Sequence, residues 1–414
     1  MSQPAKNAEA DPVAAAAERR LLLVAPTDYD SSVAKGVSAL LFDFDEQGYF
    51  AKVVMAFPFT HGNRVVDLAP NLVIHEYGMG GSSLFRQVMG PLHILRVVRA
   101  VARLARDEDV AIVRATDPCL SGFVALLAAR LARKPLCVSI HADFDKRHEL
   151  DAAGGAPRVF GSRRLAIAIE RLVLARADLV LPIRESLVDY ARRRGARPDR
   201  IRVIPHGADL SAFAAPADPR ALAALDLPRG RRLVSFAGRL SRENYLDDVL
   251  AAARSLGRSH GDVLVAIAGS GSESQRLADA VAADEGLRRS VRLLGSLPRE
   301  AVAALRQASQ VALCPMGGFS LIEACAAGVP AVAYDVEWHS ELVIDGETGY
   351  LVPERDAEGL ARAVARLLDH PEAGSKMGQA ARKLALGRHD LAASVETKRR
   401  CYQELIDARG EAQA

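Results

Sequence analysis

What most constrains this chain is an alternation that runs almost from end to end. Short runs rich in Val, Ile, Leu and Ala, each about one strand long, are separated by stretches with helical apolar spacing. In the first half the strand candidates are Arg20–Ala25, Ala51–Ala56, Asn71–His75, Asp109–Arg114, Leu136–His141, Ala177–Pro182 and Ile201–Ile204. In the second half they are Leu233–Ala237, Val263–Ala268, Val291–Leu294, Gln310–Cys314 and Pro330–Tyr334. Helical patterns such as Ser31–Glu46, Leu92–Arg106, Leu120–Ala132, Arg163–Arg176, Asp247–Ser259 and Ala301–Ser309 lie between them. Successive parallel strands need crossover connections, and the crossover helices cover the sheet. Strict alternation therefore predicts an α/β fold with parallel sheets covered on both faces.

The chain has 414 residues, enough for two domains of about 100–200 residues each. The break is expected near the Pro/Ala/Arg-rich stretch Ala214–Arg232, just after Val203-Ile-Pro-His-Gly-Ala-Asp209. This gives a disordered leader over 1–19, a Rossmann-like domain over 20–213 and a second over 214–389. A helix over 390–408 is free to fold back on the first domain. Doubly wound sheets bind ligands outside the carboxyl ends of their strands, so motifs at strand ends are the candidate sites.

Composition removes several function classes. Cys119, Cys137, Cys314, Cys325 and Cys401 are odd in number and widely spaced, and no pair has metal-ligand spacing. They read as reduced core thiols of a cytoplasmic protein. The leader lacks the apolar stretch of a secretory signal, and no run approaches the roughly 18 apolar residues of a membrane span. Any membrane contact is therefore peripheral.

The net charge of +3 hides an asymmetry: Phe85 to Pro205 holds 23 Lys/Arg against 13 Asp/Glu. A basic half suggests an anionic partner. Arg96, Arg99, Arg103 and Arg106 recur three or four apart on one predicted helix face, and Arg192, Arg193, Arg194 and Arg197 form a second cluster. Each reads either as a solvated face or as a dock for an anionic membrane leaflet carrying a lipid-linked acceptor. The basic segments lack interleaved aromatics and any base-reading motif, which argues against nucleic acid.

The second domain carries the chemistry. Its first strand ends at Ala237, Gly238 permits a tight turn, and Arg239 projects from the strand's carboxyl end with a fork suited to phosphate. Further on, a strand runs into Gly317-Gly318-Phe319-Ser320. Ser320 stands where a helix begins, with Glu323 in its first turn. Such a start is an anion site, and the glycines let a diphosphate approach the backbone. Ser320 and Glu323 also read as a capping box, which is compatible with ligand binding. Glu323 is placed to accept hydrogen bonds from ribose hydroxyls. Asp335, Glu337 and Glu341 read as loop and capping groups rather than metal ligands, and no DxD-like cluster follows a strand. No metal and no cofactor are expected.

In order and spacing these segments resemble the glycogen-synthase-like retaining glycosyltransferases, the fourth glycosyltransferase family, with the GT-B fold. The resemblance rests on Gly238-Arg-Leu-Ser-Arg-Glu-Asn-Tyr245, Gly269-Ser-Gly271, Gly318-Phe-Ser-Leu-Ile-Glu-Ala-Cys-Ala-Ala-Gly-Val-Pro330 and Glu341 with Asp345-Gly-Glu-Thr-Gly-Tyr-Leu-Val352. Val203-Ile-Pro-His-Gly-Ala-Asp209 is similar to the family's "IPNGVD". The resemblance implies two Rossmann-like domains facing a cleft that closes on the substrates. It implies a UDP- or GDP-sugar donor, a glycan or lipid-linked hydroxyl acceptor, and retention of configuration with the leaving phosphate assisting the attack. By the same resemblance Arg239 holds the diphosphate and Gly318, Phe319 and Ser320 offer backbone donors. Glu323 binds ribose, and His141 contacts the donor sugar from the first domain.

Three departures stand out. Asn244 replaces the family's diphosphate lysine. Pro315, eight residues before Glu323, stands where the family has its first glutamate. Pro26-Thr-Asp-Tyr-Asp-Ser-Ser-Val-Ala-Lys35 replaces a glycine-rich loop, and Lys35 or Arg242 is a candidate to restore the positive charge. They keep two alternatives open beside the transferase: a catalytically silent homologue that binds a nucleotide donor or a partner, and a nucleotide-sugar 2-epimerase on the same fold.

Overall fold

The computed structural model describes residues 19–34, 38–78, 83–145 and 162–411. The expected leader as far as residue 18, and Lys35, lie outside the described residues. The chain divides into one unit of Met1–Pro205 with Val395–Ala414 and a second of His206–Ser394.

In the first unit β1 (Arg20–Val24), β2 (Lys52–Thr60), β3 (Arg64–Ala69), β4 (Leu72–Gly78), β5 (Ile112–Ala115), β6 (Leu136–Ile140) and β7 (Leu179–Pro182) form one sheet of order β3-β4-β2-β1-β5-β6-β7. β3 pairs antiparallel with β4, and all other neighbours are parallel. In the second unit β8 (Arg232–Ala237), β9 (Val263–Ala268), β10 (Val291–Gly295), β11 (Val311–Leu313), β12 (Ala331–Tyr334) and β13 (Gly349–Val352) form an all-parallel sheet of order β10-β9-β8-β11-β12-β13. Leaving β3 aside, both sheets follow the doubly wound order 3-2-1-4-5-6. Central strands such as β9, Val-Leu-Val-Ala-Ile-Ala, are buried at every position, as sheets covered on both faces require. The order reverses between β1 and β5, and again between β8 and β11. A ligand is expected at these two places.

Four local expectations change. β3 escaped the sequence reading because Arg64 and Asp67 interrupt its apolar run; its residues are exposed or half-buried, as an edge strand allows. Ile201–Ile204 adds only a single bridge to Val180 and not a strand. The helix expected over Ser31–Glu46 is instead a short helix, Tyr29–Ala34, and a 3-10 segment, Ser38–Asp45. The unit boundary lies at Pro205/His206 rather than 213/214, because buried Leu210 and Phe213 pack in the second unit's core with Leu321 and Ile322. The stretch expected as a linker begins as packed structure: Gln307 donates to the Phe213 and Ala215 carbonyls, and helix Pro219–Ala223 follows.

The last helix, Leu391–Glu411, belongs to the first unit from Val395 onward. Tyr402 is fully buried with its ring 5.4 Å from Phe50. Lys398 Nζ lies 2.7 Å from Glu46 Oε2, while buried Arg114 Nη1 takes Glu46 Oε1 at 3.0 Å. Two cations on one buried carboxylate tie the end of the chain to its first sheet. Removing Glu46 leaves both without a counter-charge, the costly way to break a buried pair.

Candidate functional site

The second unit's switch point is lined by the two segments that the sequence singles out. Gly238-Arg239-Leu240 leaves β8 on one side, and the loop after β11 climbs into helix Phe319–Ala326 on the other. Arg239 is exposed, and its guanidinium makes no hydrogen bond or ion pair with the described residues. Neighbouring turns hold its loop in place. Gly238 N–H donates to Ala268 O at 3.0 Å, Leu240 N–H to Ser270 O at 2.9 Å, and Glu273 N–H to Leu240 O at 2.9 Å. This contact depends on glycines in the loop after β9. A Cβ on Gly269, whose φ is +145°, would lie 1.9 Å from Gly238 O, and one on Gly271 would lie 2.3 Å from Leu240 O. Gly238 itself is under no such demand. Its φ is outside the left-handed region, and a Cβ there would meet only the Phe236 ring at 3.7 Å. The tight turn expected of Gly238 is not what that residue supplies.

At the helix start the cap is Gly318, which has no side chain to offer, and Ser320 is the second helical residue. The expected capping box with Ser320 as N-cap does not form, because the Ser320 hydroxyl is turned the other way. It donates to Ala237 O, at the end of β8, and accepts from Arg306 Nη2 at 2.8 Å. The first-turn N–H groups of Phe319 and Ser320 therefore have no capping side chain. Nothing lies within 4 Å of a Cβ built on Gly318, so the space before these N–H groups is open. Gly317 instead packs against Leu321, where a Cβ would lie 2.4 Å from that residue's Cβ. Phe319 is 53% exposed, its ring 6.1 Å from His206. Glu323 Oε1 stands 3.6 Å from Arg299 Nη1. Burial pushes its carboxyl above the usual range, opposed by Arg299 and Arg306.

His339, which the sequence reading passed over, shapes the glycine loop. It is fully buried. Its Nδ1–H donates to Tyr334 O at 2.8 Å, leaving Nε2 to accept from Gly317 N–H at 3.1 Å. Burial lowers its pKa, which keeps the ring neutral and able to accept. Asn244 offers the site neither charge nor a free amide. Its Nδ2 closes the loop by donating to Arg239 O at 2.7 Å and to Ser241 Oγ at 3.2 Å. Arg242 extends into solvent, 88% exposed, with Nε 3.6 Å from Glu273.

In the first unit His141 follows β6 and opens a loop held by arginines. Arg184 donates to His141 O at 3.2 Å, Arg193 pairs with Asp143 at 3.0 Å, and Arg163 and Arg194 converge on Asp145 and fully buried Glu170. The cluster of Arg192, Arg193, Arg194 and Arg197 is therefore not a free cationic patch. Arg193 and Arg194 hold the His141 loop, and Arg197 pairs with Asp199 at 2.8 Å. The other cluster differs. Arg96, Arg99 and Arg103 are exposed and enter no ion pair with the described residues, and Arg106 donates to Leu131 O at 3.0 Å. Glu341 is held by Arg388 at 2.6 Å, and among the described residues no group of His, Cys, Asp and Glu could hold a metal ion.

An arginine on one side of a parallel-sheet switch point and an uncapped helix start on the other make a candidate anion site of the kind Rossmann-type sheets offer. Two doubly wound α/β units in one chain are the architecture that the GT-B class shares. The family described as Glycosyl transferases group 1 matches residues 219–384, and the Glycosyl transferase 4-like domain matches residues 59–207. The chain is 31% identical over 321 residues to the D-inositol 3-phosphate glycosyltransferase of Acidothermus cellulolyticus, covering 73% of this chain and 70% of that one. It is 28% identical over 361 residues to the glycogen synthase of Mycobacterium tuberculosis, covering 86% and 83%. The crystal structure of Anabaena Alr3699/HepE in complex with UDP superposes with a TM-score of 0.66 at 17% identity, covering 92% and 98%. The protein belongs to the group 1 glycosyltransferases of GT-B fold.

Proposed function

We propose that the chain is an active retaining transferase that moves a hexosyl group from a UDP-sugar to a hydroxyl of a glycan or glycolipid, without a metal ion. The observation that carries this reading is the pairing of unengaged Arg239 with the open, uncapped helix start at Gly318 across one switch point. Transfer breaks the bond from the anomeric carbon to the diphosphate oxygen and leaves negative charge there. A fixed guanidinium and preorganised N–H dipoles stabilise that charge. The new bond forms on the same face, with the acceptor proton passing to the departing phosphate oxygen. Glu323 takes the ribose hydroxyls, and His141 is assigned to the donor sugar. Uridine is favoured over guanosine because HepE has been solved with UDP and with UDP-glucose.

The test is thermal stabilisation by UDP, GDP, ADP and CDP without added metal, on wild type and Arg239→Ala. UDP at about 100 times its Kd is expected to add about 2.7 kcal/mol to the wild type, most of it lost in Arg239→Ala. No stabilisation by any of the four would refute the donor site and favour a silent, partner-binding homologue, whereas binding without sugar transfer to any acceptor would favour a silent nucleotide-binding one. An epimerised sugar released without an acceptor would favour the epimerase.

A peripheral site on an anionic membrane is the second part of this reading. It is supported by Leu92 and Leu95, 60% and 45% exposed, on the helix that carries the unpaired Arg96, Arg99 and Arg103. Apolar anchors beside cations suit a lipid interface. No described helix is long and apolar enough to cross a membrane. The protein is expected to float with phosphatidylglycerol vesicles at low salt and not with phosphatidylcholine vesicles. Arg96→Glu with Arg99→Glu should abolish flotation, and equal flotation of that variant would refute the assignment.

A further inference from the structure

Arg306 is completely buried, on helix Arg299–Ala308. Its Nη1 donates to Ser235 O at 3.0 Å, and its Nη2 donates to Ser320 Oγ at 2.8 Å and lies 3.4 Å from Ala237 O. Among the described residues its Nε has no acceptor, and Arg306 enters no ion pair. The other deeply buried arginines are matched: Arg114 meets Glu46, and Arg194 meets Glu170 and Asp145. The acid whose field reaches Arg306, Glu323, stands against Arg299 instead.

A guanidinium does not shed its proton inside a protein. A whole positive charge is therefore held in the core with only neutral dipoles in contact among the described residues, an arrangement that is costly without a counter-charge. The place is specific. Ala237 immediately precedes Gly238-Arg239, and Ser320 belongs to the helix's first turn, so Arg306 grips both walls of the crevice from below.

We propose that Arg306 is a resident counter-charge for the diphosphate of the donor. It acts from beneath the crevice through its charge, held in place by Ser320 and the end of β8, and supplies the cation that Asn244 does not. Arg306 is a positioning residue, since its guanidinium touches protein dipoles and not the ligand. The proposal rests on the donor site proposed above.

The test compares UDP with uridine by calorimetry on Arg306→Met, Arg306→Lys and Ser320→Ala. In Arg306→Met, UDP binding is expected to weaken about tenfold while uridine binding changes less than about twofold, as removal of one charge in a low-dielectric site requires. Arg306→Lys should keep the wild-type ratio of the two affinities. An unchanged ratio in Arg306→Met, or an equal loss in Arg306→Lys, overturns the proposal. Should Arg306→Met not fold, Arg306→Gln, which also removes the charge but keeps a polar side chain, should show the same loss, and an unchanged ratio there overturns the proposal; Ser320→Ala removes the hydroxyl link and keeps the charge. It should hold the ratio, and a fall of about tenfold would assign the effect to the link rather than the charge. If wild type binds UDP no better than uridine, the donor reading itself has failed.

Discussion

Gly318→Asp should melt above wild type and bind UDP at least about 100-fold more weakly, because one carboxylate would serve the helix and block the ligand. Gly318 is the N-cap of helix Phe319–Ala326, with a negative φ and nothing within 4 Å of the added Cβ. An aspartate there can accept from the first-turn N–H groups and meets the positive end of the helix dipole. Asp exceeds Gly at this position by a few tenths of a kcal/mol, and the charge adds roughly 0.3–1 kcal/mol. The same N–H groups are the ones assigned to the diphosphate, and a like charge would now stand before them. Differential scanning fluorimetry with and without UDP reads both effects. A higher melting point with UDP binding intact would move the diphosphate away from this helix.

Gly269→Ala is the second large effect. The added methyl would stand 1.9 Å from Gly238 O at a φ of +145°, so both the contact and the backbone angle oppose it. The loop after β9 cannot move alone, since Gly269 N–H donates to Gly295 O at 2.7 Å and Ser270 O accepts from Leu240. The expected cost is about 3 kcal/mol or more in stability, with loss of nucleotide binding because Arg239 rides on the displaced turn. Gly238→Ala is the matched control, within about 0.5 kcal/mol of wild type, because its methyl meets only the Phe236 ring. Equal melting of the two variants in a denaturant titration would sink the argument.

Much of this was legible without coordinates. Continuous apolar runs such as Val263–Ala268, each followed by a helical pattern, leave the chain little but covered parallel sheets, since an uncovered face of Val and Ile would stay in water. The candidate segments after Ala237 and at Gly317 were legible as well, because an arginine at a strand's carboxyl end, or glycine before a helix, is a local signal, although the turn expected of Gly238 itself was not found. The edge strand β3 was less so. An edge strand needs no continuous apolar run, and Arg64 and Asp67 conceal it.

Which side chains meet around the crevice was not legible, because those meetings join residues far apart in the chain. Arg306 left one signal: it falls four residues after Val302, within a helix whose buried residues include Ala303 and Leu305. Its contacts with Ser235, Ala237 and Ser320 depend on the adjacency of β8 and β11, which strand order decides. His339 reaching Gly317, and Asn244 turning inward onto Arg239 O, likewise depend on loop conformations that local spacing does not encode. The same holds for the arginines around His141. As sequence they formed a basic patch, but once folded they neutralise Asp143, Asp145 and Glu170. Periodicity and glycine placement, which act over one or two turns, determined the fold class and where the candidate site is sought. The tertiary structure alone decided which charges are matched and which remain for a ligand, because pairing is a matter of distance in space.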